Sequence, residues 1–292
     1  MNNPLLGAAR PATNILVAGY GVITAGIIPH LVKLPDTAVT ITSRHLIRAP
    51  AGTRLLAPDG IEDLRPDIVL GCFADDGPSR AFWEHERVTA AVTEHRPVCI
   101  ELSTISPAWA EAWHSHIDAH GGIPVECPVT GSRPGAIAGT LSGFLHTPRQ
   151  DPRTARTLGA FTHHRYAFSR PGNPARFKLI YNAWGAAILH TLSFARQLPL
   201  HLGDDYATAA RIVTTDGWMA TIAASKLSRV EAGDYDDPDF ALRHMLKDLH
   251  HARDLLGDNS LITTAIEAYD QAAHTHGPYA DFTAVAQTGG TR

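Results

Sequence analysis

The stretch Asn14-Ile15-Leu16-Val17-Ala18-Gly19-Tyr20-Gly21-Val22-Ile23-Thr24 decides the fold. An apolar run without alternation stops at Gly-Tyr-Gly, and a helical pattern follows. Such a run reads as a strand buried on both faces, the signature of a parallel sheet. Working outward, residues 38–42 (AVTIT), 67–70 (DIVL), 97–102 (PVCIEL) and 123–127 (IPVEC) repeat the apolar run. Residues 79–94 and 107–120 between them have helical composition. Strands alternating with helices predict a parallel sheet covered on both sides.

The texture changes at Arg170-Pro171-Gly172-Asn173-Pro174, a strong backbone punctuation. Beyond it Leu179, Ala183, Ala186, Ala187, His190, Phe194 and Leu198 recur at helical spacing, so residues 173–200 read as one long helix. Further helical segments follow at about 205–229, 239–256 and 260–275, with no strand pattern after about residue 169. The expected class is α/β: a Rossmann-type dinucleotide-binding domain over residues 1–170, then an all-helical domain over residues 171–292 that begins with the long helix.

Gly19 and Gly21 sit where a strand passes into a helix, the context that a dinucleotide turn requires. Gly19 permits the tight turn, and Gly21 lets a pyrophosphate approach the helix N-terminus through the backbone of Tyr20, Val22 and Ile23. Thr24 stands where a third glycine would bring helix and strand together, which predicts a helix set slightly outward. Pro29 removes a backbone donor and predicts a shortened or kinked helix. The second strand ends in Thr42-Ser43-Arg44-His45, with none of the acidic side chains that hold a ribose 2′-hydroxyl. Ser43, Arg44 and Arg48 suit a 2′-phosphate instead, because guanidinium donors pair with two oxygens. The cofactor expected is NADP(H).

Composition narrows the class. The 292 residues are 44% hydrophobic and 18% charged, a folded rather than disordered balance. The net charge of −4 gives no electrostatic footprint for nucleic acid or an anionic membrane. No window reaches the run of about 18 apolar residues that a membrane span needs, and residues 1–11 lack a leader pattern, so a cytoplasmic protein is expected. Cys72, Cys99 and Cys127 are widely spaced and odd in number, which reads as three buried thiols in a reducing compartment. The 17 histidines show no metal-ligand spacing, and no metal is expected.

Several segments, in order, resemble the β-hydroxyacid dehydrogenases. Glu101-Leu102-Ser103-Thr104-Ile105-Ser106-Pro107 resembles their STxxP segment; Pro128-Val129-Thr130-Gly131-Ser132-Arg133-Pro134-Gly135-Ala136, continuing to Gly139-Thr140-Leu141, resembles their substrate loop. Lys178-Leu179-Ile180-Tyr181-Asn182 is similar to their KxxxN helix, Phe240 with Lys247-Asp248-Leu249 to their F…KDL helix, and Asp281-Phe282-Thr283-Ala284-Val285 to their terminal DFSAV. The family includes 3-hydroxyisobutyrate dehydrogenase, tartronate semialdehyde reductase and glyoxylate/succinic semialdehyde reductase, and Ser132-Arg133 points weakly to the last branch.

The resemblance implies hydride transfer between NADPH and a small carbonyl acid, with Lys178 as acid/base and Asn182 holding the reacting oxygen. Four residues apart, the two share a helix face. It implies that Thr130, Gly131 and Ser132 bind the substrate, Thr130 and Gly131 its carboxylate, that Phe73, Ala74, Ser103 and Thr104 line the cofactor, and that Lys247 sits near the carboxylate or nicotinamide. Ser132 departs from a glycine, and Leu145-His146 from a glycine pair, which leaves the substrate open. A homo-oligomer, dimer or tetramer, is implied as well, with the helical domain as the contact. Two other readings compete. An imine reductase shares the architecture but usually carries Asp or Tyr where Lys178 stands. A non-catalytic NADP-binding module would have lost the lysine.

Overall fold

A computed structural model describes residues 13–44, 46–56, 60–61 and 64–288. Residues 1–11 and His45, read above from sequence, lie outside the described residues. The chain divides into two compact units, Met1–Lys178 and Leu179–Arg292.

The first unit runs β1 (Thr13–Ala18), α1 (Val22–Val32), β2 (Thr37–Thr42), β3 (Thr53–Leu55), β4 (Ile68–Gly71), α2 (Asp76–Trp83), α3 (Glu86–His95), β5 (Val98–Glu101), α4 (Pro107–Ala119) and β6 (Ile123–Glu126). It continues with β7 (Val129–Thr130), α5 (Ser132–Ala138), β8 (Leu141–Leu145), α6 (Pro152–Gly159), β9 (Thr162–Ala167) and the start of α7 (Asn173–Ala195). Six strands form a parallel sheet in the order β3-β2-β1-β4-β5-β6. The order reverses direction between β1 and β4, the switch point where sheets of this kind bind ligands. One face packs Ile15, Val17, Val39, Ile41, Leu70 and Ile100 against the aliphatic residues of α1. The other packs Leu16, Val69 and Cys99 against Trp83, Trp109 and Trp113. Burial on both faces is why these strands carry no polar alternation.

A second sheet, β7-β8-β9, pairs β7 antiparallel and β9 parallel to β8. It went unread because β9 (THHRYA) is exposed along most of its length and lacks apolar periodicity.

The second unit continues α7 and adds α8 (Leu198–Leu202), α9 (Tyr206–Thr215), α10 (Ala220–Ala232), α11 (Leu242–Leu256), α12 (Ser260–His276) and a 3-10 turn, Phe282–Gln287. Its core gathers Leu179, Leu189, Leu242, Met245, Leu249, Tyr269 and Val285. No helix among the described residues is long and apolar enough to cross a membrane.

Three helical segments are shorter than the sequence pattern suggests. Residues 79–94 divide into α2 and α3 because His85 is extended (φ −63°, ψ 132°) and caps α3 through its ring, which accepts from the Arg87 N–H. Residues 173–200 break after Ala195, and Pro199, which has no N–H to continue the ladder, sits in the first turn of α8. Residues 205–229 break at Gly217, whose φ of +75° no helix contains.

In α1, by contrast, the chain runs three residues past Pro29 to Val32. Thr24 is fully buried, and its Oγ1 accepts the Gly21 N–H at 3.0 Å, so it supplies a cap where a glycine would supply only space. The close approach belongs to Gly26, where an added Cβ would stand 2.7 Å from Ala136 Cβ and 2.9 Å from its carbonyl carbon. Gly26→Ala should therefore destabilise the protein by about 1–3 kcal/mol, the usual cost of forcing a methyl into a packed seam. Denaturant unfolding would detect this as a lower midpoint at unchanged slope.

Candidate active site

The sheet register places Thr42, Ala18, Gly71, Glu101 and Glu126 in one row across the carboxyl edge, each paired with the next. In-register residues of parallel strands point to one face, so both glutamates face the side covered by α4. Nearly every residue singled out in the first unit follows this row.

After β1, Gly19 has φ +88°, and a Cβ there would lie 2.2 Å from the Cys72 carbonyl oxygen, so only glycine fits. Gly21 has nothing within 4 Å of where a Cβ would stand. That open space at the N-terminus of α1, an eleven-residue helix, fits a pyrophosphate on backbone donors. Tyr20 and Ile23 pack on the core, and Val22 is exposed. After β2, Ser43 is half-buried while Arg44 and Arg48 are exposed.

The loops after β4 and β5 are tied together. Phe73 donates its N–H to Ser103 Oγ at 2.6 Å, and Ser103 donates its own N–H to Glu101 Oε1 at 2.9 Å. Glu101 Oε2 also accepts from Ser79 Oγ and Trp83 Nε1, each at 2.7 Å, and Trp109 Nε1 donates to Ser79 Oγ at 2.9 Å. The carboxylate is completely buried, yet every partner is a donor. The Phe73-Ala74 and Ser103-Thr104 loops are thereby held in one shape by Glu101, to which the sequence assigns no role beyond a place in a motif.

After β6 the chain enters the Thr130 loop. Thr130 and Ser132 are half-buried, and Gly131 is exposed with φ +123°. Ser132 has φ +53°, the left-handed region that glycine adopts freely. The departure from glycine read in the sequence thus keeps the glycine backbone and carries strain of about 1 kcal/mol. His146 bridges Glu126 through the main chain and bonds the Phe168 carbonyl through Nδ1, so it props the loop's base.

Lys178 lies in the second turn of α7 and is 6% exposed; Asn182, one turn later, is 7% exposed. In the second unit, Asn182 donates Nδ2 to Asp248 Oδ2 at 2.6 Å. Lys247 Nζ stands 2.8 Å from Asp248 Oδ1 as an ion pair without hydrogen-bond directionality. Asp248, 1% exposed, therefore fixes which way the Asn182 amide points. Sequence reading named Asp248 only as part of a motif. Its signal was a charged residue inside an apolar helix face. Glu101 and Glu126 carried the same signal, an acid closing a wholly apolar strand.

All three cysteines are free thiols. Cys99 and Cys127 are buried, and burial pushes the Cys127 thiol up to about 12, so neither is a nucleophile.

Residues 41–158 match the NAD binding domain of 6-phosphogluconate dehydrogenase. An uncharacterized oxidoreductase of Synechocystis sp. is 24% identical over 255 residues, 83% of this chain and 85% of its own length. Among solved structures, Psf3 in complex with NADP+ and 2-OPP superposes with TM-score 0.79 at 21% identity, covering 94% of this chain and 99% of that one. The 3-hydroxyisobutyrate dehydrogenase of Mycobacterium tuberculosis, with L-serine, gives 0.76 at 23%, covering 94% and 98%. The imine reductase of Streptomyces aurantiacus gives 0.55 at 18%, covering 96% and 100%. The fold is that of the 3-hydroxyisobutyrate dehydrogenases, as the sequence motifs imply.

Burial pushes the Glu101 carboxyl above its ordinary 4.5, with the donors on Ser103, Ser79 and Trp83 opposing. The folded state then holds this proton more tightly than the unfolded chain. Its contribution to stability is full below the ordinary carboxylate range and declines as pH rises. Relative to Glu101→Gln, the unmutated chain should lose unfolding free energy as pH rises through and above the ordinary carboxylate range. Glu101→Leu should cost about 3 kcal/mol, from three orphaned donors at about 1 kcal/mol each. Urea unfolding across pH measures both.

Proposed function

From a chain with this fold and a matching NAD binding domain, we propose an NADP-dependent oxidoreductase that moves hydride between NADPH and a small carbonyl acid, or its β-hydroxyacid in reverse. The observation that carries the reading is the buried pair Lys178 and Asn182, one helical turn apart on α7, with Asn182 oriented by Asp248.

The nicotinamide cofactor supplies the hydride when bound. Gly19 and Gly21 leave room for its pyrophosphate, and the first-turn N–H groups of Val22 and Ile23 offer donors. Ser43, Arg44 and Arg48 are the groups for a 2′-phosphate, and no carboxylate stands at the end of β2 to repel it. Phe73, Ala74, Ser103 and Thr104 form the nicotinamide side.

Thr130 Oγ1 with the backbone N–H groups of Gly131 and Ser132 takes the substrate carboxylate, a hydroxyl and turn amides being donors that suit an anion. Lys178 gives an ammonium proton to the carbonyl oxygen as hydride reaches its carbon, and in reverse accepts the alcohol proton. Asn182 spends one amide proton on Asp248 and has the other for the reacting oxygen. Lys247, paired with Asp248, adds positive charge for a carboxylate or the nicotinamide side. Self-association belongs to the same reading: α7 leaves Trp184 and Phe194 exposed, at 67% and 76%.

The test is NADPH oxidation with a panel of aldehydes, keto acids and cyclic imines. A carbonyl acid should turn over, and Lys178→Ala should lower kcat by about 100- to 10,000-fold with NADPH affinity retained. Turnover of imines alone would favour an imine reductase, and binding without turnover a non-catalytic module. Arg44→Ala should weaken NADPH by about tenfold and leave NADH unchanged, as expected for one lost charge-assisted phosphate contact.

A further inference from the structure

The geometry points to Glu126 as a positioning residue that locks the substrate loop to the first turn of α7, the turn that precedes Lys178. Glu126 is the last residue of β6 and is 1% exposed. Its Oε2 accepts the Gly172 N–H at 2.7 Å, and its Oε1 accepts the Ala175 N–H at 2.8 Å. Both donors belong to the N-terminus of α7, whose first N–H groups have no partner within the helix. One carboxylate therefore closes the positive end of a 23-residue helix.

The other end of the contact is equally fixed. The Glu126 main chain exchanges two hydrogen bonds with His146, each 2.9 Å. Cys127 and Pro128 follow, and Thr130 is four residues on. On the helix side, Lys178 is three residues beyond Ala175, about 4.5 Å along the axis and less than one turn. A shift of the first turn thus passes directly to the lysine. A second tie, Arg176 to Glu111 at 2.7 Å, is exposed, and surface pairs of this kind hold a geometry poorly. His114 Nε2 lies 3.5 Å from Glu126 Oε2 without hydrogen-bond geometry, so it neighbours the carboxylate while the two backbone amides hold it.

The assignment rests on the reading of Lys178 as acid/base, so its test separates the two. Glu126→Gln in the full chain has one acceptor oxygen for two amides. Amide exchange at Gly172 or Ala175 should accelerate by about tenfold or more while the rest of the core stays protected. Turnover of the carbonyl acid should fall by about tenfold at unchanged NADPH affinity, equivalent to one tenfold step in the barrier. That loss should vanish in a Lys178→Ala background, because a residue acting through Lys178 has nothing left to position. Equal losses with and without Lys178 would overturn the assignment.

If Lys178→Ala keeps full turnover, the acid/base reading fails by itself. Glu126 is then judged by acylation of Lys178 with an N-hydroxysuccinimide ester, followed by mass spectrometry. A rate altered several-fold in Glu126→Gln supports the tie, and an unaltered rate overturns it. Should Glu126→Gln not fold, Glu126→Asp, with both oxygens drawn back by one methylene, is read by the same measurements.

Discussion

A parallel sheet buried on both faces leaves chemistry one place to go, its carboxyl edge. In this chain the edge is a straight row, Thr42, Ala18, Gly71, Glu101 and Glu126, set by unbroken register between neighbouring strands. Below the row the strands are apolar and closed to water. Above it the chain must turn, and its turns carry most of the side chains proposed for the cofactor and substrate. The two acids at the row's end cannot face water, so their charge is spent on neighbouring donors. A buried carboxylate is tolerable only when its lone pairs are filled. Filling them fixes the loops that supply the donors, and the cost of burying charge becomes rigidity where a site needs it.

The two glutamates divide the labour. Glu101 gathers Ser79, Trp83 and Ser103, and through Ser103 it reaches Phe73. Those contacts shape the loops after β4 and β5. Glu126 gathers Gly172 and Ala175 and so fixes the start of α7. In the second unit, Asp248 repeats the device on Asn182. Three buried acids, Glu101, Glu126 and Asp248, thus each hold neighbouring donors in place. On α7 itself Lys178 and Asn182 are buried, while Ile180, Tyr181 and Trp184 are exposed.

The first half of the fold was legible because period and burial agree there. Apolar runs at residues 14–18, 67–70 and 123–127 correspond to β1, β4 and β6, since strands buried on both faces have nothing polar to hide. The spacing of Lys178 and Asn182 was legible for the same local reason. What stayed hidden depends on distance along the chain. Glu101 meets Trp83 across 18 residues, and Glu126 meets Gly172 across 46, so no local window contains both partners. Thr24 was read as a missing glycine, while Gly26, two residues on, provides the close approach to Ala136. Which glycine matters is decided by a neighbouring helix, and a single sequence does not reveal where that helix lies.

The small sheet carries a consequence for the protein in concentrated solution. Its outer strand, β9, offers an open edge, and such edges recruit strands from other molecules. His163, His164, Arg165 and Tyr166 stand exposed along it. Bulky side chains, one of them the Arg165 guanidinium, make a poor template for a second strand. The same composition that hides β9 from an apolar-period reading thus makes its edge a poor docking strip for another copy of the chain.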